Sequence, residues 1–294
     1  MNEHYRKGML VKMDRSNAIP IGLLILMIVV VLPSFFGPPL YVMIAILTLF
    51  VAFFFGFSFT HGYQTLGGKA ISAFLGITVV VTYVMEWLGT HLGIPFGHYY
   101  YTNNLGPLIL DVPIVIPIQW FNALYVCYIM ANITLSRSGN GASASLLKRI
   151  LLTSIITGLF MVSWDFINDP YMVGVGSWVW TSPMEFFGLT FYGIPLSNFL
   201  GWVFTSALTV FAFDLYRNQN ADTFHRFIEK LAEPINGLVL VPYLYLLVVP
   251  AISGILAGLF SFSVATTLAP IGLASVTMGF AALLTAWRYR AAAS

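Results

Sequence analysis

The chain has 294 residues, of which 59% are hydrophobic, 16% aromatic and 8% charged, with a formal net charge of +2. About a quarter of a soluble chain is charged, so this composition excludes a water-soluble globule. A mean hydropathy of +0.86 excludes a disordered chain, the single Cys127 excludes an internal disulfide, and the near-neutral total gives no electrostatic case for nucleic acid.

Apolar stretches run from Ala18 to Phe36, Pro39 to Phe59, Ala70 to Leu92, Val112 to Leu135, Ile150 to Ile167, Ile194 to Tyr216, Ile235 to Phe260 and Ala265 to Trp287. Each is close to the roughly 20 residues a helix needs to cross a bilayer. They predict an all-α polytopic membrane helix bundle of about eight transmembrane helices, one integral membrane domain over residues 1–294. The first stretch follows a basic tail, as a secretory signal does. It leads into Pro33-Ser34-Phe35-Phe36-Gly37-Pro38-Pro39 with no small-residue cleavage site, so it reads as a retained helix.

The 13 basic residues sort cleanly among the connections. Arg6, Lys7, Lys12 and Arg15 precede helix 1, and Lys69 lies between helices 2 and 3. Arg137, Lys148 and Arg149 lie between 4 and 5, Arg217, Arg226 and Lys230 between 6 and 7, and Arg288 and Arg290 follow helix 8. The other four connections hold none. The positive-inside rule then places both termini in the cytoplasm of a multi-pass cell-membrane protein, and each basic residue reads first as an orientation anchor.

Glu3, Asp14, Asp214, Asp222, Glu229 and Glu233 accompany those cations, whereas Glu86, Asp111, Asp165, Asp169 and Glu185 lie in the outer half, where no Lys or Arg can pair with them. Glu86 is 17 residues past Lys69, about 25 Å along its helix. Asp165 is 16 residues past Arg149, at nearly the same depth. A shift of 79 residues superposes Lys69 on Lys148, Glu86 on Asp165, Tyr99 on Trp178 and Tyr101 on Trp180. A shift of 78 superposes Ile116-Pro117 on Ile194-Pro195, each opening a return helix. This pattern suggests a parallel internal repeat, with units 69–135 and 148–216, whose pseudo-two-fold axis lies along the membrane normal.

A carboxyl group near hydrocarbon is costly and marks either a functional site or a hydrogen bond to a neighbouring helix, here to Gln119, Asn122, Asn168 or Asn198. Glu86, Asp165 and Asp169 converge from separate helices without cations. Withdrawal from water favours the proton-bearing form, which makes them candidate general acids. Asp165 and Asp169 share a helix face by spacing, but Pro170 is expected to turn Asp169 toward extended backbone and end the helix. The run Asp165-Phe166-Ile167-Asn168-Asp169 also resembles the aspartate motifs that hold magnesium diphosphate in membrane prenyltransferases. The outer half lacks the Lys or Arg that diphosphate recruits.

Five histidines, His4, His61, His91, His98 and His225, are too few and too scattered for a membrane di-iron site, and no dinucleotide or phosphate loop is present. His91 and His98 read as interfacial hydrogen-bonding groups or as a proton relay. Trp87, Phe96, Tyr99, Tyr100, Tyr101, Trp120, Trp164, Tyr171, Trp178, Trp180, Phe186, Phe187 and Tyr192 crowd the outer side. They suit an interfacial belt, and an inward subset suits a slot for a long unsaturated hydrocarbon whose cation the ring faces stabilise. Gly254 and Gly258 are spaced for close helix packing.

Glu86-Trp87-Leu88-Gly89, Ile94-Pro95-Phe96-Gly97-His98-Tyr99-Tyr100-Tyr101, Val115-Ile116-Pro117-Ile118-Gln119-Trp120, Asp165-Phe166-Ile167-Asn168-Asp169-Pro170, Trp178-Val179-Trp180 and Gly193-Ile194-Pro195-Leu196-Ser197-Asn198-Phe199-Leu200-Gly201-Trp202 together resemble the carotenoid biosynthesis membrane family. That family includes bisanhydrobacterioruberin hydratases and γ-carotene 1′,2′-hydratases, and the likeness covers roughly residues 70–250. It implies a hydro-lyase that adds water across the terminal double bond of an acyclic carotenoid end, with no cofactor and no metal. The expected partners are a carotenoid or other long isoprenoid, water and membrane lipid, with association with other carotenoid-pathway enzymes left open.

On that reading Asp165 is the proton donor, and Glu86 and Asp169 orient water or stabilise the cation, in roles that can be exchanged. Asn198, Gln119 and Asn122 position the water, and Tyr99, Trp120, Trp178 and Trp180 line the substrate slot. The competing classes are a proton-coupled transporter or lipid-binding membrane protein, and a carotenoid prenyltransferase. Against the transporter, no polar stripe is read through the inner half of the helices.

Overall fold

In the computed structural model, residues 17–136, 146–181, 188–217, 221–257 and 264–293 are described. Arg6, Lys7, Lys12, Arg15, Arg137, Glu3, Asp14, Glu185, His4, Phe186, Phe187 and Gly258 lie outside them, as do the side chains of Asp222, His225 and Arg290. Nine helices form among the described residues: α1 (Ala18–Val31), α2 (Leu40–Leu66), α3 (Gly68–Leu92), α4 (Val115–Ser136), α5 (Leu146–Gly174), α6 (Leu196–Arg217), α7 (Ala221–Lys230), α8 (Leu240–Ala257) and α9 (Val264–Ala293). Each of the eight predicted stretches overlaps one of the eight long helices. The short α7, rich in charge, was not predicted.

Seven of the eight long segments are long and apolar enough to cross a membrane. The eighth, α4, falls short because Gln119, Asn122, Asn132 and its tyrosines dilute its hydropathy. Its surroundings explain that tolerance: every residue from Trp120 to Thr134 is buried, against neighbours α2, α3, α5, α8 and α9. A helix that meets protein on all sides has no lipid face to supply.

The helices around it are inverted relative to those of a soluble protein. On α3, Thr78, Thr82 and Glu86 recur every fourth residue on the buried face, while Val80 and Val84 point outward. Phe204 on α6 and Leu283 on α9 are likewise exposed. Buried hydroxyls continue away from the carboxylates on three helices: Thr78 and Thr82 on α3, Thr153, Ser154 and Thr157 on α5, and Thr205, Ser206 and Thr209 on α6. A polar stripe therefore does run through the inner half, contrary to the sequence expectation. Most of it is local, since Thr78, Thr82, Ser154, Thr157 and Thr209 each donate to the carbonyl four residues back. Such bonds satisfy a hydroxyl without a neighbouring helix, which is why apolar-residue counting missed them.

α5 and α6 make the most extensive helix pair. A Cβ on Gly158 would lie 2.8 Å from the Val203 carbonyl oxygen, so only glycine permits that approach. At the basic end Arg149 and Arg217 are buried rather than free anchors. Arg217 lies 3.3 Å from Asp214 and 4.0 Å from the Phe227 ring, and Tyr128 donates to Asp214 at 2.8 Å.

Short strands organise the opposite end. β1 (Tyr99–Tyr101) pairs antiparallel with β4 (Trp178–Trp180), β2 (Leu108–Ile109) with β3 (Val112–Pro113), and β5 (Thr190–Phe191) with β6 (Ile194–Pro195). The two hairpins close on residues of positive φ, Leu110-Asp111 and Tyr192-Gly193, as tight two-residue turns require. Val112-Pro113 and Ile194-Pro195 each form the second strand of such a hairpin. Ile116-Pro117 lies inside α4, so the sequence match at a shift of 78 compares unlike elements, and the predicted helices from Val112 and Ile194 each begin with a strand instead.

Candidate active site

The two helix ends that carry the carboxylates lie together, because the strands that follow them, β1 and β4, pair with each other. Glu86 sits six residues before the end of α3, and Asp165 and Asp169 near the end of α5. Pro170 does not stop α5, which continues to Gly174. A proline removes one helix N–H, and within a packed membrane bundle the flanking turns hold. Here Ser177 and Gly176 close the helix end by donating to the Met172 and Val173 carbonyls. Asp169 thus stays helical, one turn from Asp165 on the same face, correcting the expected extended conformation.

Relative exposures are 5% for Glu86, 0% for Asp165 and 2% for Asp169. Three neutral donors converge on Glu86. Trp120 Nε1 donates to Oε1 at 2.7 Å, and Tyr101 and Tyr99 donate their phenol protons to Oε2, Tyr101 at 2.7 Å. Burial first, and the adjacent Glu86 second, push both phenols well above the usual tyrosine range, so they remain protonated donors. A Cβ on Gly89 would meet the Tyr99 ring at 2.8 Å, so glycine on α3 lets that ring reach Glu86.

The second cluster is built differently. Asn198 Nδ2, at the start of α6, donates to Asp165 Oδ2 at 3.0 Å and to Asp169 Oδ2. That single amide holds the two carboxyl groups side by side. Two buried negative charges that close repel each other, and a proton held by one of the pair relieves the repulsion. Asp165 Oδ1 accepts no hydrogen bond from any described residue.

The β1–β4 pair supplies the aromatic wall. Alternation along a strand puts Tyr99 and Tyr101 on one face and Tyr100 on the other, and the register Tyr99↔Trp180 and Tyr101↔Trp178 adds both tryptophans to the inner face. Tyr99 and Trp180 ring centroids are 4.8 Å apart, and Tyr101 and Trp178 5.9 Å. Trp120 stacks on Trp202 at 4.0 Å, and Trp164 meets Trp202 edge-on at 5.5 Å.

Of the residues expected at this site, Glu86, Asp165, Asp169, Tyr99, Trp120, Trp178, Trp180 and Asn198 come together. Gln119 and Asn122 do not. Asn122 donates to Gln119 at 2.8 Å and toward the Val51 carbonyl on α2, a pairing that occupies them away from the carboxylates. Asp111 is exposed and pairs with His91 at 3.4 Å, and His91 stacks on Trp87, so neither serves the cluster. Tyr101, Trp164 and Trp202 were not singled out as site residues. The signal for Trp202 was its spacing of 82 from Trp120, the spacing of the two hairpins. Among the described residues, no group of three or more His, Cys, Asp or Glu is arranged to hold a metal ion.

A buried acid pair, a separate anchored carboxylate and a wall of ring faces thus gather at one end of a polytopic membrane helix bundle. The family model described as "Carotenoid biosynthesis protein" matches residues 37–281, and the chain belongs to that family. The curated bisanhydrobacterioruberin hydratase of Haloarcula japonica is 31% identical over 134 residues, 45% of this chain and 41% of that relative's length. No solved structure matches the chain.

Proposed function

We propose that the protein hydrates the terminal carbon–carbon double bond of an acyclic carotenoid end, leaving a tertiary alcohol. The observation that carries this reading is the buried Asp165–Asp169 pair bridged by Asn198 in an aromatic-walled site of a family member, an arrangement suited to holding a proton. Protonation of a trisubstituted alkene needs a positioned acid, and the tertiary cation it forms needs nearby negative charge or ring faces. The acid pair gives its proton to the less substituted alkene carbon. Water then attacks the cation, and its released proton returns to the pair, so the cycle needs no cofactor. Hydration of one end or both, and the carotenoid used, belong to the same proposal, as does a cell-membrane orientation with the basic end in the cytoplasm.

Asp165→Asn, produced at wild-type level in a carotenoid-making host, is expected to accumulate unhydrated pigment. Wild-type extracts gain the mass of one water per hydrated end. Hydroxylated pigment from the variant at wild-type yield removes Asp165 from the mechanism.

The buried hydroxyls on α3, α5 and α6 favour a second reading, a proton-coupled transporter. Pigment masses unchanged by the wild-type protein support it, whereas gain of a prenyl unit with magnesium dependence marks a prenyltransferase.

A further inference from the structure

One arrangement occurs twice. A long helix, a three-residue strand, a two-residue hairpin and a return helix form α3–β1–β2–β3–α4 and again α5–β4–β5–β6–α6. The β1–β4 register maps onto itself when the halves are exchanged, because Tyr99↔Trp180 becomes Trp178↔Tyr101. Trp120 and Trp202 are equivalent by the same spacing as the hairpins, and they stack on one another. A two-fold axis therefore passes between Tyr100 and Val179 and between the stacked indoles. Glu86 and Asp165 become counterparts, each bound by a donor from the first turns of its return helix, Trp120 or Asn198.

The counterparts have different surroundings, and the difference is chemical. We infer that the two halves have divided the reaction: Glu86 is a permanent anion that stabilises the cation, and the Asp165–Asp169 pair alone carries the proton. This rests on the hydratase reading for its mechanism, and the division itself is argued from the number and kind of hydrogen-bond donors around each carboxyl group. An indole N–H only donates, so Glu86 Oε1 must accept, and Oε2 faces two phenols that retain their protons. Burial opposes charge on Glu86, and three aimed donors work against that effect. Asp165 meets one amide and a second carboxyl group, while its Oδ1 is buried with no hydrogen-bond partner among the described residues. In this division that oxygen, which no donor occupies, is the atom assigned to exchange a proton with a substrate. Through the cycle the O–H bond of the pair breaks as the alkene C–H bond forms, and is remade from the attacking water, while Glu86 neither gains nor loses a proton.

Two measurements test the division. Infrared spectra of the purified protein in H2O and D2O report neutral carboxyl groups through their carbonyl band. The band is expected in wild type and in Glu86→Gln, and absent from Asp165→Asn. Its absence from wild type, or its loss in Glu86→Gln, overturns the proposal. The second measurement follows turnover in D2O with acyclic carotenoids bearing free terminal double bonds. Glu86→Gln is expected to lower kcat by about 10²-fold or more with KM unchanged, and deuterium in the recovered alkene falls in the same proportion. Deuterium entering the alkene while hydration is lost shows Glu86 to be the base that activates water, and wild-type turnover in Glu86→Gln removes it altogether. If Glu86→Gln does not accumulate, Tyr101→Phe keeps the carboxylate, removes one donor and carries the same readouts. A wild-type protein that hydrates no carotenoid removes the hydratase reading and leaves the infrared result intact.

Discussion

Trp120 and Trp202 stack with ring planes 22° apart, and the same Trp120 indole donates its N–H to Glu86. The stack fixes a donor that itself fixes a charge. Aromatic pairs contribute about 0.5–1.5 kcal/mol beyond their burial. Trp202→Ala is expected to lower pigment hydration about tenfold at equal protein level, with Trp202→Phe closer to wild type. Equal yields from both variants would separate Trp120's orientation from the stack.

Asn198 holds two carboxyl groups with one amide. Hydrogen bonds to charged groups are worth about 1.5–3 kcal/mol, so Asn198→Ala should reduce turnover by about 10- to 100-fold while leaving detergent-extracted protein monodisperse. Asn198→Asp replaces the donor with a third acid and should be worse in both activity and thermal stability. A fully active Asn198→Asp protein shows that the amide is not needed.

Gly158 tests the bundle rather than the chemistry. A side chain there meets the backbone of α6, which cannot rotate away. Overpacking costs about 1–3 kcal/mol, so Gly158→Val should lower the unfolding temperature in detergent. Gly76, where an added Cβ meets nothing within 4 Å, should accept alanine without loss of packing.

Topology can be read directly, because the native Cys127 is buried. Asn103 and Arg226 are both exposed, one beside the strands and one on α7. With a membrane-impermeant thiol reagent on intact cells, Asn103→Cys should label and Arg226→Cys should not. The opposite pattern inverts the proposed orientation.

Much of the architecture was legible from the placement of few charges. Basic residues confined to alternate connections set the count of helices, and acids without cations marked Glu86, Asp165 and Asp169. What was not legible depends on tertiary partners. Pro170 was read by its local preference, which packing overrides. Gln119 and Asn122 were chosen by composition, and only the path of α2 shows that they face elsewhere. The hairpins are too short to leave a periodic signal, so the Ile-Pro match was drawn in the wrong register. Tyr101 is a Glu86 ligand through strand alternation, visible only once β1 is known to be a strand.

The central helix also has a consequence for how the protein is made. A bilayer welcomes α4 less readily than its neighbours, and three of the helices that enclose it, α5, α8 and α9, are synthesised after it. During biogenesis α4 therefore depends on sibling helices for a home that lipid does not offer. Insertion of this segment is completed by assembly, and the backbone that carries Trp120 to Glu86 is settled only when the later helices arrive.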